Sequence, residues 1–364
     1  MSVSRHSFRS YVVTLHRTSD QQATMSLFPI QFQIVSDLHL ETPTASKLYD
    51  TFKLPIHASN LLLVGDIGLA IDDGLFRFLK RLLDETPNRR IFYVMGNHEA
   101  YQMTHTRAWE RLRWFEEHAR TRYRERFVFL HRTRYDLNEK ITILGCTLWS
   151  KISDAQASDV HNRLTDFNRL RGIRDWSLDS HMEEHRKDLM WLNNEVERIY
   201  QNEPERQIVI ATHHSPTIDP RASNPRHNGS SVSSGFVTSL EQEPCWISPA
   251  VKLWAFGHTH YNCAYKDEST GKLVVANQKG YTTIDAPDGS GLRDFIVEVG
   301  SDAWVILPVV AVEKKAASVQ ADDKEANSQK KEDKSGSPPK PSSVLHKASR
   351  KLKAFIRRQA DLTE

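Results

Sequence analysis

Residues 60–101 read NLLLVGDIGLAIDDGLFRFLKRLLDETPNRRIFYVMGNHEAY. Two short apolar runs, one from 60 and one from 90, flank a stretch with apolar residues at 75, 76, 78, 79, 82 and 83. That spacing follows one face of a helix over 72–85, whereas the flanking runs have the length and bulk of buried strands. Each run closes on a glycine and a polar residue, Gly65-Asp66 and Gly96-Asn97. The order strand, turn, helix, strand, turn predicts an α/β sheet layered by helices.

Upstream, IQFQIVSDLHLE (30–41) reads as a further strand, running into Asp37-Leu38-His39. Downstream, 106–127 predicts a long charged helix with Trp109, Leu112 and Phe115 on its inner face, and 140–150 a strand. Residues 151–205 are polar and mainly helical, which predicts a helical insertion against one side of the sheet. Strand-like runs resume at 206–216, 250–260 and 272–281, with 292–299 expected to be the last. Periodicity ends after Pro308. The expected organisation is a disordered extension over 1–29, one domain over 30–308, a disordered charged linker over 309–343 and a basic tail over 344–364. In that tail Val344, Leu345, Leu352, Phe355 and Ile356 are interleaved with basic side chains, the pattern of a short amphipathic helix for an anionic membrane surface or a protein partner.

Composition narrows the functional classes. A chain of 364 residues can bury a full core. No apolar stretch approaches the roughly 18 residues that a spanning helix needs. Cys146, Cys245 and Cys263 are scattered and odd in number, which argues against a disulfide framework and fits a reducing compartment. A cytoplasmic location is therefore expected, although the Ser-, Arg- and His-rich first two dozen residues also share the composition of a mitochondrial presequence. Net charge is +3 overall, but residues 1–24 carry +2 and residues 313–364 carry +5, leaving −4 in the centre. The central domain has no bias toward a polyanion, which counts against a nucleic-acid substrate.

Four places repeat one layout, a strand-like run and then a polar cluster: Asp37 with His39, Asp66, Asn97 with His98, and His213-His214 together with Gly257-His258-Thr259-His260. In layered α/β proteins ligands gather at the carboxyl ends of strands, so groups distant in sequence can meet. Carboxylate, imidazole and amide oxygen suit borderline divalent metals, and no thiolate takes part. Enough donors exist for two ions sharing one carboxylate, as in two-metal phosphoryl chemistry. A structural zinc site is the competing metal reading, but such sites close four positions with Cys and His and lack an amide ligand.

The ordered set D-x-H, GD, GNHE, H, GHTH resembles the calcineurin-like metallophosphoesterase superfamily over about residues 30–305. The resemblance implies two facing mixed β-sheets flanked by helices, with a dinuclear metal site at the strand ends. It places Asp37, His39 and His260 on one ion and Asn97, His213 and His258 on the other, with Asp66 bridging. Two divalent ions (Mn, Fe, Zn or Ni) are implied, activating a bridging hydroxide for in-line attack on phosphorus. His98 is then no ligand: it meets the substrate phosphate or leaving group, as the catalytic imidazole.

The sequence departs from the Ser/Thr protein phosphatase branch, since Leu69 and Ala70 stand where GD-x-x-D-R-G has Asp and Arg. His98 thereby loses that branch's acidic partner, and Asp72, Asp73 or Glu99 are the candidates to replace it. The expected enzyme hydrolyses a small or nucleotide-like phosphomonoester or phosphodiester; the alternatives are a non-catalytic binding or scaffold protein, a protein phosphatase and a nuclease. His161, Asn168, Arg169 and Arg171 in the insertion are candidates for a substrate-facing rim.

Overall fold

A computed structural model describes residues 29–281, 291–300 and 303–309. The expected extension, charged linker and basic tail lie almost wholly outside these. In chain order the first half holds β1 (Gln31–Val35), β2 (Asn60–Val64), α1 (Asp73–Glu85), β3 (Arg90–Val94), α2 (His105–Tyr123) and β4 (Phe127–Leu130). Next come β5 (Thr133–Asp136), β6 (Ile141–Cys146), α3 (Ala157–Arg163), α4 (Leu178–Asn202) and β7 (Gln207–Thr212). The chain continues through α5 (Pro244–Ile247), β8 (Val251–Phe256), β9 (Cys263–Lys266), β10 (Leu273–Ala276), β11 (Phe295–Val299) and β12 (Trp304–Pro308).

Among the described residues the strands form two mixed sheets of six, ordered β12-β11-β1-β2-β3-β4 and β5-β6-β7-β8-β10-β9. Strands β1 to β4 are mutually parallel, as are β6, β7, β8 and β10, and the antiparallel strands occupy the margins. Alternation explains the layers. Leu62, Val64, Phe92 and Val94 point inward to meet Ile143, Val209, Leu253 and Val275 of the second sheet. Leu61, Leu63, Ile91 and Tyr93 point outward under Leu75, Phe78, Leu79, Leu82, Leu112 and Phe115 of α1 and α2. On the far side Leu192, Val196 and Ile199 of α4 cover Leu144, Ile208 and Ile210. The central strands are thus apolar on both faces, and each fully buried Leu or Val contributes roughly 1.5–3 kcal/mol.

The expected sandwich is observed, with three differences. The insertion has only α3 and α4 as helices, and residues 164–177 between them are loop with one 3-10 turn at Thr165–Phe167. β11 is not the last strand, because β12 folds back against it. Strands β4, β5 and β9 were not expected, each only four residues long. A period-2 pattern barely registers over that length. Helices α2 and α4 begin where Thr104 and Ser177 accept from the backbone N–H of Arg107 and Ser180, at 3.2 and 3.1 Å.

Candidate metal centre

The parallel strands of both sheets end on one edge. Asp37 follows β1, Asp66 follows β2, Asn97 follows β3, His213 follows β7, and His258 and His260 follow β8. The backbone must reverse abruptly there, and five of the seven candidate ligands do so at positive φ: Asp37 (53°), His39 (45°), Asp66 (55°), His258 (69°) and His260 (50°). That conformation costs a non-glycine residue roughly 1–2 kcal/mol. Such strain concentrates where a surrounding structure enforces it for function. Two glycines make the crowding possible. A Cβ on Gly65 would lie 2.3 Å from Nδ1 of His213, and one on Gly96 would lie 2.2 Å from Oδ1 of Asp66.

The side chains form three groups whose potential ligand atoms lie within 4.8 Å of one another: Asp37, His39 and His260; Asp66, His213 and His258; and His39, Asp66 and His98. In the first, Nε2 of His260 is 3.2 Å from Oδ1 of Asp37 and 3.0 Å from Nε2 of His39. In the second, Nε2 of His213 is 3.4 Å from Oδ1 of Asp66 and 3.1 Å from Oδ1 of Asn97. Asp66 joins the groups, since its Oδ2 faces Nε2 of His39 at 3.9 Å. His98 reaches Oδ2 of Asp66 at the same 3.9 Å, so proximity alone does not separate it from the ligand candidates. All seven candidate ligands and His98 are brought together.

The outer contacts aim the ligand atoms. Nδ1 of His213 lies 2.9 Å from the Val64 carbonyl, a pure acceptor that keeps a proton on Nδ1 and turns Nε2 toward Asn97 and Asp66, where a cation would displace any proton it carries. The Asn97 amide donates through Nδ2 to Asp166 at 2.7 Å and to the Tyr101 hydroxyl at 3.0 Å, which turns its oxygen toward His213. Nε2 of His258 is buried without a hydrogen-bond partner among the described residues. An orphaned imidazole nitrogen, two ring nitrogens converging at 3.0 Å and an all-nitrogen-and-oxygen donor set fit divalent cations.

Charges are tuned accordingly. Burial alone would raise Asp37, but the hydrogen bond and charge of His260 outweigh it and hold the carboxyl at about 2. Burial opposes ionisation of Asp66 too, and the charges of His213 and His98 override it to keep the group well below the usual range. Burial would depress His98, yet Asp66 and Glu41 raise it to about 9 before any cation competes for Asp66.

Glu41 is the acid that sequence reasoning missed. Its Oε1 lies 2.9 Å from Nδ1 of His98 and 3.2 Å from Nδ1 of His39, so one oxygen orients both rings. Asp72 instead binds Lys47 at 2.7 Å, and Asp73 binds Arg111 at 2.7 Å. Glu99 faces away from His98, accepting from the backbone N–H groups of Asp66, Ile67 and Gly96 at 3.0, 2.8 and 2.7 Å. It thereby locks two of the turns together. A weak signal for Glu41 existed, because Asp37-x-His39-x-Glu41 is one continuous alternation. Asp166 and Tyr281 were also missed, with nothing in their surroundings to mark them. The Tyr281 ring stacks on His39 at 4.3 Å between centroids, and its hydroxyl is 3.2 Å from Nε2 of His98. Glu41→Gln is expected to lower kcat about tenfold, the usual scale for a group that orients a functional histidine. Adding it to His98→Ala should cost less than the product of the two single losses, because the contact to His98 is already gone and only that to His39 remains. Fully additive losses would show that Glu41 acts through His39 and not through His98.

A double-sheet α/β sandwich carrying this donor set at its strand ends is the architecture of a metal-dependent phosphoesterase. The chain belongs to the calcineurin-like phosphoesterase family, whose sequence model matches residues 30–262. Among curated proteins it is similar to "Uncharacterized protein L509" of Acanthamoeba polyphaga mimivirus, 24% identical over 267 residues, which cover 68% of this chain and 90% of that protein. Among solved structures it is similar to the phosphopantetheinyl hydrolase PptH of Mycobacterium tuberculosis, at 14% identity and a TM-score of 0.48, covering 70% of this chain and 90% of that one.

Proposed function

We propose that the protein hydrolyses a small phosphate ester, monoester or diester, at a centre holding two divalent ions. The observation that carries this reading is the placement of Asp66, whose two carboxylate oxygens face separate histidine groups, Oδ1 toward His213 and Oδ2 toward His39. Asp37, His39 and His260 would hold one ion, and Asn97, His213 and His258 the other. Bound there, the ions supply Lewis acidity to the phosphate and activate water near neutral pH.

The chain's own residues provide the remainder. Glu41 and the backbone N–H donated to Asp66 at 2.9 Å fix the position of His98, leaving Nε2 directed at the Tyr281 hydroxyl. A leaving-group oxygen occupying that hydroxyl's place accepts a proton from the His98 imidazolium. The test is a screen of the full chain against p-nitrophenyl phosphate and bis(p-nitrophenyl) phosphate with Mn²⁺, Fe²⁺, Zn²⁺ and Ni²⁺ in turn. Turnover that depends on added metal supports the proposal. Protein that binds metal yet cleaves neither compound with any ion contradicts it and leaves a binding protein of the same fold.

A further inference from the structure

The loop between α3 and α4 is fastened to the candidate centre. Asp166, within it, accepts from Asn97 Nδ2 at 2.7 Å and from the Tyr101 hydroxyl at 2.6 Å. Beyond Asp166, Tyr101 pairs with Ile173 and Thr104 with Arg174 as isolated β-bridges, and the Gln102 N–H donates to the Gly172 carbonyl at 2.8 Å. The turn closes on Asn168, whose Oδ1 accepts from the N–H groups of Leu170 and Arg171 at 3.1 and 2.9 Å. Gly172 is required for that closure, since a Cβ there would stand 2.0 Å from the Thr165 carbonyl oxygen. This loop is held on several sides, so groups displayed on it are pre-positioned.

Asp166 points inward, and the residues around it line an outward cavity of about 310 Å³. His161, Arg163, Thr165, Asn168, Arg169 and Arg171 contribute to its wall, and no Asp or Glu does among the described residues. Arg163 donates to Oγ of Ser231 at 2.8 Å and comes only within 4.0 Å of Asp159. Arg169 and Arg171 form no ion pair among the described residues, although Arg77, Arg111 and Arg134 elsewhere on the surface each meet a carboxylate at 2.7–2.9 Å. Arginines left without acids around a concavity retain their full charge, and their planar donors match phosphate oxygens in pairs. Thr165 and Phe167 of the cavity wall flank Asp166, whose carboxylate meets the candidate ligand Asn97, so one short segment of chain serves both places.

We infer that this cavity is a subsite for a second phosphate group on the substrate whose first phosphate lies at the metal ligands. The inference rests on the phosphoesterase reading and narrows it to compounds with two separated phosphates. A fixed loop of Arg169 and Arg171 recognises the distal group, and Asp166 couples that loop to Asn97.

The test uses the full chain with Mn²⁺ and compares adenosine 3′,5′-bisphosphate with adenosine 5′-monophosphate. The expected result is a kcat/KM preference for the bisphosphate of at least about tenfold, expressed in KM, on the scale of charge-assisted hydrogen bonds. Arg169→Ala/Arg171→Ala should bring the ratio near unity, whereas the charge-matched pair Lys80→Ala/Arg120→Ala should retain it. Calorimetric titration of the bisphosphate into metal-stripped protein gives a readout that needs no turnover, and the same arginine pair should weaken binding at least about tenfold. Binding that depends on the two arginines, with no ester cleaved, upholds the subsite and overturns the hydrolase reading. Ester cleavage with the same ratio in both proteins overturns the subsite and leaves the hydrolase reading intact. Arginine-dependent binding of a ten-nucleotide single strand, without a bisphosphate preference, would assign the cavity to a nucleic-acid backbone and overturn the proposal.

Discussion

His98→Ala is expected to lower turnover of p-nitrophenyl phosphate by about two to four orders of magnitude, the range of a positioned acid–base group, while metal content stays at the wild-type level. The imidazole lies against Asp66, held by Glu41 on Nδ1 and presenting Nε2 to the Tyr281 hydroxyl. On the proposed mechanism, removing it takes away the proton donor for the leaving oxygen and leaves the candidate ligands Asp37, His39, Asp66, Asn97, His213, His258 and His260 in place. The backbone contact survives too, because the N–H of residue 98 still donates to Oδ1 of Asp66. Paired kcat measurement and elemental analysis of metal separate the outcomes. An unchanged kcat removes His98 from the chemistry. Loss of an ion along with activity makes it a ligand, a role its place beside His39 and Asp66 permits.

Asp66→Asn should weaken the binding of both ions, by more than about 100-fold for at least one, since even outer contacts to ligands are worth 10–100-fold. The structure also sets a direction. Oδ1 of Asp66 accepts the His98 N–H at 2.9 Å, so the oxygen of an asparagine settles there and its NH₂ takes the place of Oδ2. Oδ2 is the atom that faces His39. An NH₂ cannot ligate, so the group of Asp37, His39 and His260 should lose more affinity than the group around His213. Calorimetric titration with Mn²⁺ resolves the two events, and circular dichroism checks that the fold is kept. Two ions held as tightly as in the parent protein would remove Asp66 as the bridge.

How much of this was legible depended on how local each signal was. The stretch 60–101 revealed its strands and helix because both faces of the strands are covered and the helix buries one stripe, which leaves two clear periodicities. The ligand candidates were legible because each strand of the set ends in a glycine-bearing or histidine-bearing turn, a repetition visible without knowing which strands are neighbours. Asp166 left no such trace. It is one acid in a polar loop, and only folding brings it to Asn97, 69 positions away. Tyr281 is farther still, 183 positions from His98. Glu41 lay in plain sight, but its partner could not be chosen from sequence while Asp72, Asp73 and Glu99 were equally polar and closer to His98. Strands β5 and β9 escaped because each is short and partly exposed, so neither shows an apolar run.

The candidate ligands divide between the sheets: Asp37, His39, Asp66 and Asn97 belong to the first, and His213, His258 and His260 to the second. Either proposed ion therefore acts as a rivet driven through both leaves of the sandwich. Along that rim the leaves are already stitched by the Ser36–Gln278 bridge and by the Asn277 amide, which donates to the Ile34 carbonyl at 3.0 Å. A loaded centre makes this rim the stiff margin of the molecule. At the opposite margin the leaves are joined by the Trp304 indole donating to Gln207 at 2.6 Å, so heat or force is expected to part a metal-loaded protein there first.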